Sequence, residues 1–388
     1  MNISDRPNIY SRLISFSILF AIAWFLTLCT LHYFNLRTLW LDEYQVFRSL
    51  ATFAPIDFFT KELITGQIFP RLYLFLIQRI SEPFDWHVLS LRLLSYLSMT
   101  TAFLIWLKIA NYELKSKEEY FAFVLSWTAS IPLIYYASEL KPYSMDVMTT
   151  AIFLLFIYNQ KKLEEGNPKV YFGLLSALPL LGLFSYPAFL FFIFPLYNLL
   201  TTKSPLRQKA LICYLISGIA AIACLYFFDL RITQATTGKQ SFHDYAISFA
   251  SAGEFFKTWG EGTMNLISRW FTEQPKLLKK LGLIFTPFGL IYIFYAFFSH
   301  FKREGFAFRS INTVALVIYA ELFLLGALQK YPFSVPRTSL FFCPIVLLMT
   351  VKGLQLLKKI HPRIHQIFLS LYCLFLIFVT IGIGQVVF

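Results

Sequence analysis

The chain reads as long apolar runs separated by short polar connections. A helix that crosses a bilayer needs about 20 mostly apolar residues. Runs of this kind lie at 13–34, 86–108, 119–137, 143–159, 170–184, 186–201, 210–229, 279–299, 310–329, 336–351 and 366–386, and they predict about eleven transmembrane helices. The fifth and sixth are short and meet at Tyr186 and Pro187, so one bent element is an alternative for that pair. Residues 70–80 form an apolar piece too short to span and carry Arg71 and Arg79, which predicts a helix lying at the membrane interface. The first run follows Arg6 and Arg12, is longer than the apolar part of a signal peptide and lacks a small-residue cleavage site, so it reads as a retained helix. Two longer segments, 35–85 and 230–278, interrupt the rhythm. No repeat is visible and no soluble domain is expected after the last run, so 1–388 is expected to be a single all-α polytopic membrane domain.

Composition removes the competing classes. Of 388 residues 57% are apolar and 14% charged, against about 25% charged in an ordinary soluble domain. Soluble and disordered chains are excluded on that ground. The five cysteines sit in apolar runs with no C-x-x-C pair, which points neither to a disulfide frame nor to a zinc knuckle. The net charge of +13 would suit a nucleic-acid binder until the basic residues are placed. With the N-terminus cytoplasmic, eighteen of the 34 Lys and Arg fall in the inside segments around Arg12, Lys115, Lys161, Lys203, Arg303 and Lys358. The short connections on the other side hold only Lys141, Lys330 and Arg337. This is the positive-inside bias. It assigns 35–85 and 230–278 to the outside, and it holds only if 70–80 is not counted as a span.

The outward connections carry the candidate chemistry. The first opens on Asp42, Glu43 and Tyr44, where the adjacent carboxylates fit either a helix N-terminus or a general base at the membrane surface. The connection around Glu139, Lys141, Pro142 and Tyr143 places an acid and a cation where a helix begins, with Pro142 fitting its first position. A third runs from Lys330 through Pro336 to Arg337, Thr338 and Ser339, where a guanidinium, two hydroxyls and a helix N-terminus suit a lipid phosphate. Weaker candidates are Arg92 near the outer end of the second span, the intramembrane Glu321 with Lys330 or Arg337 as partner, and His243, Asp244, Lys239 and Lys257 in the second long segment. His361 and His365 are four apart but lie among inside lysines, and a solvated pair is favoured over a metal clamp. No P-loop, G-x-G-x-x-G or H-E-x-x-H pattern occurs.

In this order and spacing the motifs resemble the lipid-linked-sugar glycosyltransferases of the GT-C fold, in particular the protein O-mannosyltransferase and aminoarabinose-transferase branch. Asp42-Glu43 matches that branch's early acidic pair, and Arg92-Leu93-Leu94-Ser95 its R-L-x-S segment. Tyr136 to Tyr143 matches Y-S-x-E-x-R-x-Y with Lys141 for the arginine. Tyr331-Pro332, Arg337 and Pro344 follow the pattern near the end. Phe69-Pro70-Arg71-Leu72-Tyr73 stands where the branch has H-P-P-L-Y-Y, with Phe69 in place of the histidine. The likeness covers residues 13–200 well and the rest loosely.

The resemblance implies transfer of a sugar from a polyprenyl phosphate to an acceptor hydroxyl on the outer face, with inversion. On that reading Asp42 is the base, Glu43 orients the acceptor, Lys141 and Arg337 with Tyr143 bind the phosphate, and Glu139, Arg92, Tyr44 and His243 bind or support substrate. Asp42, Glu43 and Glu139 could offer oxygen ligands to Mg²⁺ or Mn²⁺. The two cations already neutralise one phosphate, so no cofactor is firmly implied. The expected partners are the lipid-linked donor, membrane lipid and a glycan, lipid or protein acceptor, in a bacterial inner membrane. The competing readings are a transporter or flippase, which would place ionisable groups near the midplane, an envelope glycan polymerase or ligase, and a non-catalytic scaffold.

Overall fold

The computed structural model describes residues 9–64, 68–201, 203–233, 246–268, 276–304, 310–333, 335 and 337–387. Among these the regular structure is helical throughout. The helices are α1 (Ile9–Phe34), α2 (Leu41–Thr52), α3 (Arg71–Ser81), α4 (Val88–Glu113), α5 (Lys117–Thr128), α6 (Ile131–Tyr135), α7 (Tyr143–Gly166), α8 (Pro168–Ala177), α9 (Ile193–Thr201), α10 (Arg207–Leu225), α11 (Arg231–Thr233), α12 (Ala252–Ser268), α13 (Lys276–Glu304), α14 (Ile311–Ala327), α15 (Cys343–Ile360) and α16 (Pro362–Val387).

Every predicted run falls on helix, but the number of elements able to cross a membrane alone is smaller than the number of runs. Five described helices are long and apolar enough, and α5 with α6 makes a sixth if the two halves, bent by 60°, count as one span. Pro132, in the first turn of α6, lacks the N–H that would continue the α5 ladder. The runs at 170–184 and 186–201 are each divided into a short α-helix and a 3₁₀ turn. Residues 71–81 form a separate helix of 11 residues, too short to span. The chain is an integral membrane protein.

The bundle is built around α15. Every residue from Cys343 to Leu354 is buried, as expected of a helix apolar on all sides. α13 and α16 pack on it, α16 meets α5, α5 meets α1, and α4 lies along α7. Polar contacts concentrate at the two ends of this bundle. At one end Glu113 accepts bonds from Lys352 and Tyr158, Lys117 donates to Ser11 and Ser15 at 2.9 Å, and Gln355 donates to Glu119 at 2.6 Å. At the other end stands Arg92, about 30 Å up α4 from Glu113 by helical rise, which matches the thickness of a hydrocarbon core. A second, smaller core lies at that end. Val46, Leu50, Phe58, Phe69, Tyr73 and Ile77 pack with Leu91, Leu140 and Met145, seating α2 and α3 on the bundle.

The α13–α15 crossing depends on Gly353, where an added Cβ would run into the carbonyl oxygen of Phe288. Backbone cannot swing aside as a side-chain tip can. Gly353→Ala is therefore expected to destabilise the protein by about 1–3 kcal/mol, although alanine is intrinsically the better helix former by about 1 kcal/mol. Gly218→Ala on α10, where nothing lies within 4 Å, should be neutral or slightly stabilising. Thermal unfolding of the two variants in detergent checks the contrast.

Candidate functional site

The first turn of α2, the turn before α7 and the turn before α15 converge on one carboxylate. Oδ2 of Asp42, in the first turn of α2, lies 2.8 Å from Lys141 Nζ and 3.0 Å from Arg337 Nη1. The three residues are widely separated in sequence and none is an accident of local helix geometry. Lys141 is buried, and its ammonium sits 4.8 Å from the centre of the Trp40 ring, 5.7 Å from Tyr143 and 6.0 Å from Phe69. These faces hold a cation by electrostatics while supplying no hydrogen-bond acceptor. Arg337 keeps 42% of its side-chain surface exposed, so the open side of the cluster is the guanidinium side. Burial pushes the Asp42 carboxyl up, but Lys141 and then Arg337 outweigh it and hold it below its ordinary value.

Glu43 lies elsewhere from where the sequence reading puts it. It is expected beside Asp42 facing an acceptor, yet it is fully buried. Its carboxylate takes Arg92 Nη2 at 2.6 Å and Nε at 3.1 Å, the Leu140 N–H at 2.7 Å and the Trp40 N–H at 3.4 Å. Arg92, also fully buried, donates further to the carbonyls of Arg37 at 3.0 Å and Thr38 at 3.4 Å. The physical reason is helical geometry. Successive residues on α2 point about 100° apart, so one acid of the pair enters the bundle while the other faces the cleft.

Glu139 accepts the indole N–H of Trp40 at 2.9 Å. Its main-chain carbonyl accepts Ser95 Oγ at 2.5 Å, and the carbonyl of Lys141 accepts Tyr73 Oη at 2.8 Å. Tyr143 is buried, with its ring edge-on to Tyr136 at 5.1 Å. Tyr44 projects from the exposed face of α2, beside Phe47 at 6.3 Å, and does not join the cluster. His243, Asp244 and Lys239 lie outside the described residues, as does Pro336. Thr338 and Ser339 both turn their hydroxyls back to the Val335 carbonyl, at 2.9 and 3.1 Å, and the helix starts after them, so Arg337 occupies a turn and not a first helical turn. No ion pair joins Glu321 to Lys330 or Arg337 among the described residues, and Lys257 is an exposed partner of Glu254. His365 stands 3.8 Å from Glu119 while His361 Nδ1 accepts a backbone N–H, so the two histidines face different groups. Asp42, Glu43 and Glu139 likewise bond largely different partners, with Trp40 donating to both Glu43 and Glu139, and no group of three potential metal ligands converges among the described residues.

Several residues that matter here carry no assigned role in the sequence reading, although Tyr73 and Ser95 fall within its motifs. Trp40 walls Lys141 and bonds Glu139. Arg37 donates to the Ser138 carbonyl at 3.0 Å and stacks over Tyr135 at 4.4 Å. Tyr73 and Ser95 anchor the 139–141 backbone. Asp146, one turn into α7, is buried. The only signal for Trp40 was an indole two residues before Asp42, which an interfacial aromatic belt explains equally well.

No family model and no curated protein matches this chain. Among solved structures it is similar to the crystal structure of ArnT from Cupriavidus metallidurans in the apo state, with a TM-score of 0.54 and 13% identity over 90% of this chain. ArnT is an aminoarabinose transferase of the GT-C type. The similarity is one of fold, and the chain spans 60% of the ArnT chain's length. The GT-C-like fold expected from the motif order is therefore the fold observed.

Burial, joined by the Glu43 carboxylate and opposed by Lys141 and Arg37, pushes Glu139 up to about 7. A carboxyl raised in the folded state keeps a proton that the unfolded chain has released. Its contribution to stability is full below the ordinary value of 4.5 and is lost as pH rises towards 7. Unfolding temperatures measured from acid to neutral pH should fall more steeply for the native protein than for Glu139→Gln, which keeps an acceptor for Trp40. Parallel curves would remove Glu139 as the titrating group.

Proposed function

We propose that this chain is a membrane glycosyltransferase of the GT-C type that moves a sugar from a polyprenyl phosphate to an acceptor hydroxyl on the outer face of the membrane. The observation that carries the reading is the shared oxygen of Asp42 between Lys141 and Arg337. Two cations aimed at one anionic oxygen form a site for a phosphoryl oxygen, and charge-assisted bonds of this kind are the strong ones. The position suits an amphiphilic donor. The cluster lies at one end of the bundle, where a phosphate can sit at headgroup depth while its prenyl chain stays in lipid. The fold shared with ArnT is consistent with the same class of chemistry.

The chemistry follows from that geometry. Donor phosphate competes with Asp42 for Lys141 and Arg337. Once Arg337 turns to the phosphate and Lys141 shares its charge with it, the Asp42 carboxylate loses part of the charge that depresses its pKa and gains basicity. It then takes the acceptor proton as the acceptor oxygen bonds to the anomeric carbon. The carbon–oxygen bond to phosphate breaks, its electron pair stays on phosphate, and the two cations stabilise that charge. Attack from the face opposite the phosphate inverts the anomeric centre. Tyr143, packed beside Lys141, supports the phosphate side. Glu43 and Arg92 act as positioning residues that fix the backbone on which Asp42 stands. The basic inside segments support a site on the opposite side of the membrane, which in a bacterial inner membrane is the periplasmic side.

Asp42→Asn should lower transfer by about 10²–10⁴-fold, the usual worth of a general base. The assay is release of polyprenyl phosphate from a panel of polyprenyl-phosphate sugars by purified protein in nanodiscs. Near-normal release by this variant rejects Asp42 as the base.

Arg337→Ala should weaken donor binding about tenfold. That is the lower end of what a hydrogen bond to a charged group contributes, about 1.5–3 kcal/mol, because the guanidinium is partly exposed. Equilibrium binding of a non-transferable donor analogue checks it, and unchanged affinity rejects the phosphate role.

A further inference from the structure

α1 carries two interleaved rows of side chains. Phe16, Phe20 and Trp24 recur at every fourth position and stand exposed, with the Phe20 and Trp24 rings stacked at 6.1 Å. Ser17 and Ala21 recur at the same spacing one position further on and add little bulk. An open groove of about 390 Å³ follows these rows. The aromatic row forms one wall, and the exposed Ile377 and Ile381 of α16 form the other. Ala21 with Leu125 and Thr128 of α5, all buried, forms the floor.

The walls define the kind of occupant. From Phe16 to Trp24 the groove covers about 12 Å of helical rise. That is less than half of a hydrocarbon core of about 30 Å, so the groove has the depth of one leaflet. Its hydroxyls are turned to the backbone. Ser17 donates to the Leu13 carbonyl at 3.0 Å, and Thr128 and Thr380 donate to the carbonyls of Leu125 and Leu376 at 2.8 Å each. The surface left to a ligand is hydrocarbon.

The charge stands at one end of the groove. Lys117 precedes Phe121, a lining residue, by four positions on α5, so the two share a face about 6 Å apart along the axis. The Lys117 ammonium donates to the hydroxyls of Ser11 and Ser15 at 2.9 Å. This holds it against the turn of α1 from which Phe16 and Ser17 enter the groove. Both partners are neutral, and among the described residues no carboxylate pairs with Lys117. Nearby acids are engaged elsewhere. Glu113 takes Lys352 and Tyr158, Glu119 takes Gln355 and His365, and Glu118 acts on His365. Arg12 and Lys115, both exposed, add positive charge to the same end of the bundle. A membrane surface rich in anionic lipid attracts such a rim.

We propose that this groove seats one acyl chain of an anionic phospholipid whose phosphate is held by Lys117, in the leaflet opposite the Asp42 cluster. Apolar walls take the chain, and the ammonium at the groove's end takes the charge. The site lies at the other end of the bundle from Asp42 and does not depend on the transfer reading.

The test is photolabelling of the full chain in nanodiscs by phosphatidylglycerol carrying a diazirine in mid-chain, read by peptide mapping. Phosphatidylcholine with the same diazirine, at the same low fraction, is the neutral control. Labelling concentrated in 16–24, 121–128 and 377–381 is expected, about threefold or more above the control with phosphatidylglycerol. Lys117→Gln keeps a donor for the serines and should bring the two lipids to within about twofold of each other. Raising salt from about 0.15 M to about 1 M should do the same to the native protein, because it shortens the reach of the charge. Ser17→Phe puts a ring into the groove and should lower labelling by both lipids about threefold or more. Equal labelling of the native protein by the two lipids would mean apolar partition alone. Absence of label from these segments would mean that another protein surface, such as a second copy, covers the face. Each of these, even labelling of all lipid-facing helices, or a preference unmoved by both Lys117→Gln and salt, overturns the proposal.

Discussion

The end of the bundle that carries the site is organised by the buried contact between Glu43 and Arg92. Neither group has exposed surface. An isolated ion there would be untenable, but each has several partners. Glu43 accepts four N–H groups and Arg92 gives two further N–H groups to the Arg37 and Thr38 carbonyls. Those partners come from the segment before α2, from α4 and from the turn before α7, so one pair ties three stretches of chain. Breaking a buried pair by removing one member costs about 3–5 kcal/mol, a large fraction of a total of about 5–15 kcal/mol. A purely apolar contact could hold the stretches together. It could not also cap the N–H of Leu140 and the carbonyls of Arg37 and Thr38, which would otherwise be buried without partners.

This fixed frame gives Asp42 its direction. With Glu43 locked inward, the neighbouring side chain must point about a quarter-turn away, towards Lys141 and Arg337. The ammonium of Lys141 cannot retreat, because Trp40, Tyr143 and Phe69 enclose its other sides. Arg337 is the partner with freedom, since its side chain reaches solvent. The cluster thus joins a rigid cation to a movable one across a carboxylate, an arrangement in which a second anion can enter without rebuilding the buried half.

Much of this architecture is legible in the sequence, and the parts that are not have a common physical origin. Apolar periodicity locates the helices because it reports directly on burial. The distribution of Lys and Arg separates the outward connections in which Asp42, Lys141 and Arg337 occur, so the residues that meet are nominated before their contact is known. Which member of the Asp42–Glu43 pair faces inward is not legible, because both satisfy a helix N-terminus equally and only Arg92, 49 positions away, distinguishes them. Thr338 and Ser339 mislead for a related reason. Hydroxyls near a helix start suit a ligand as well as a local backbone carbonyl, and the local one is always in reach. Trp40 escapes notice, and Tyr73 stands only as a motif match, because aromatic residues are so frequent in this chain, at 19%, that neither acquires a role until its polar atom has a partner.

The small helix α3 shows how closely spaced residues can serve two surfaces. Tyr73 lies two positions beyond Arg71, roughly 200° around the helix, so the two emerge on opposite sides. Tyr73 donates to the carbonyl of Lys141 and shares a hydrogen bond with Ser95. It therefore sets the backbone that carries the ammonium. Arg71 is held by Asp229 and the carbonyl of Lys61, which anchors the same helix to the π-helical turn after α10. A helix of 11 residues has little stability of its own, so its orientation must come from these contacts at both faces. α3 thus links the chain after α10, through Arg71, to the main chain at Lys141, through Tyr73, although no side chain is common to both contacts.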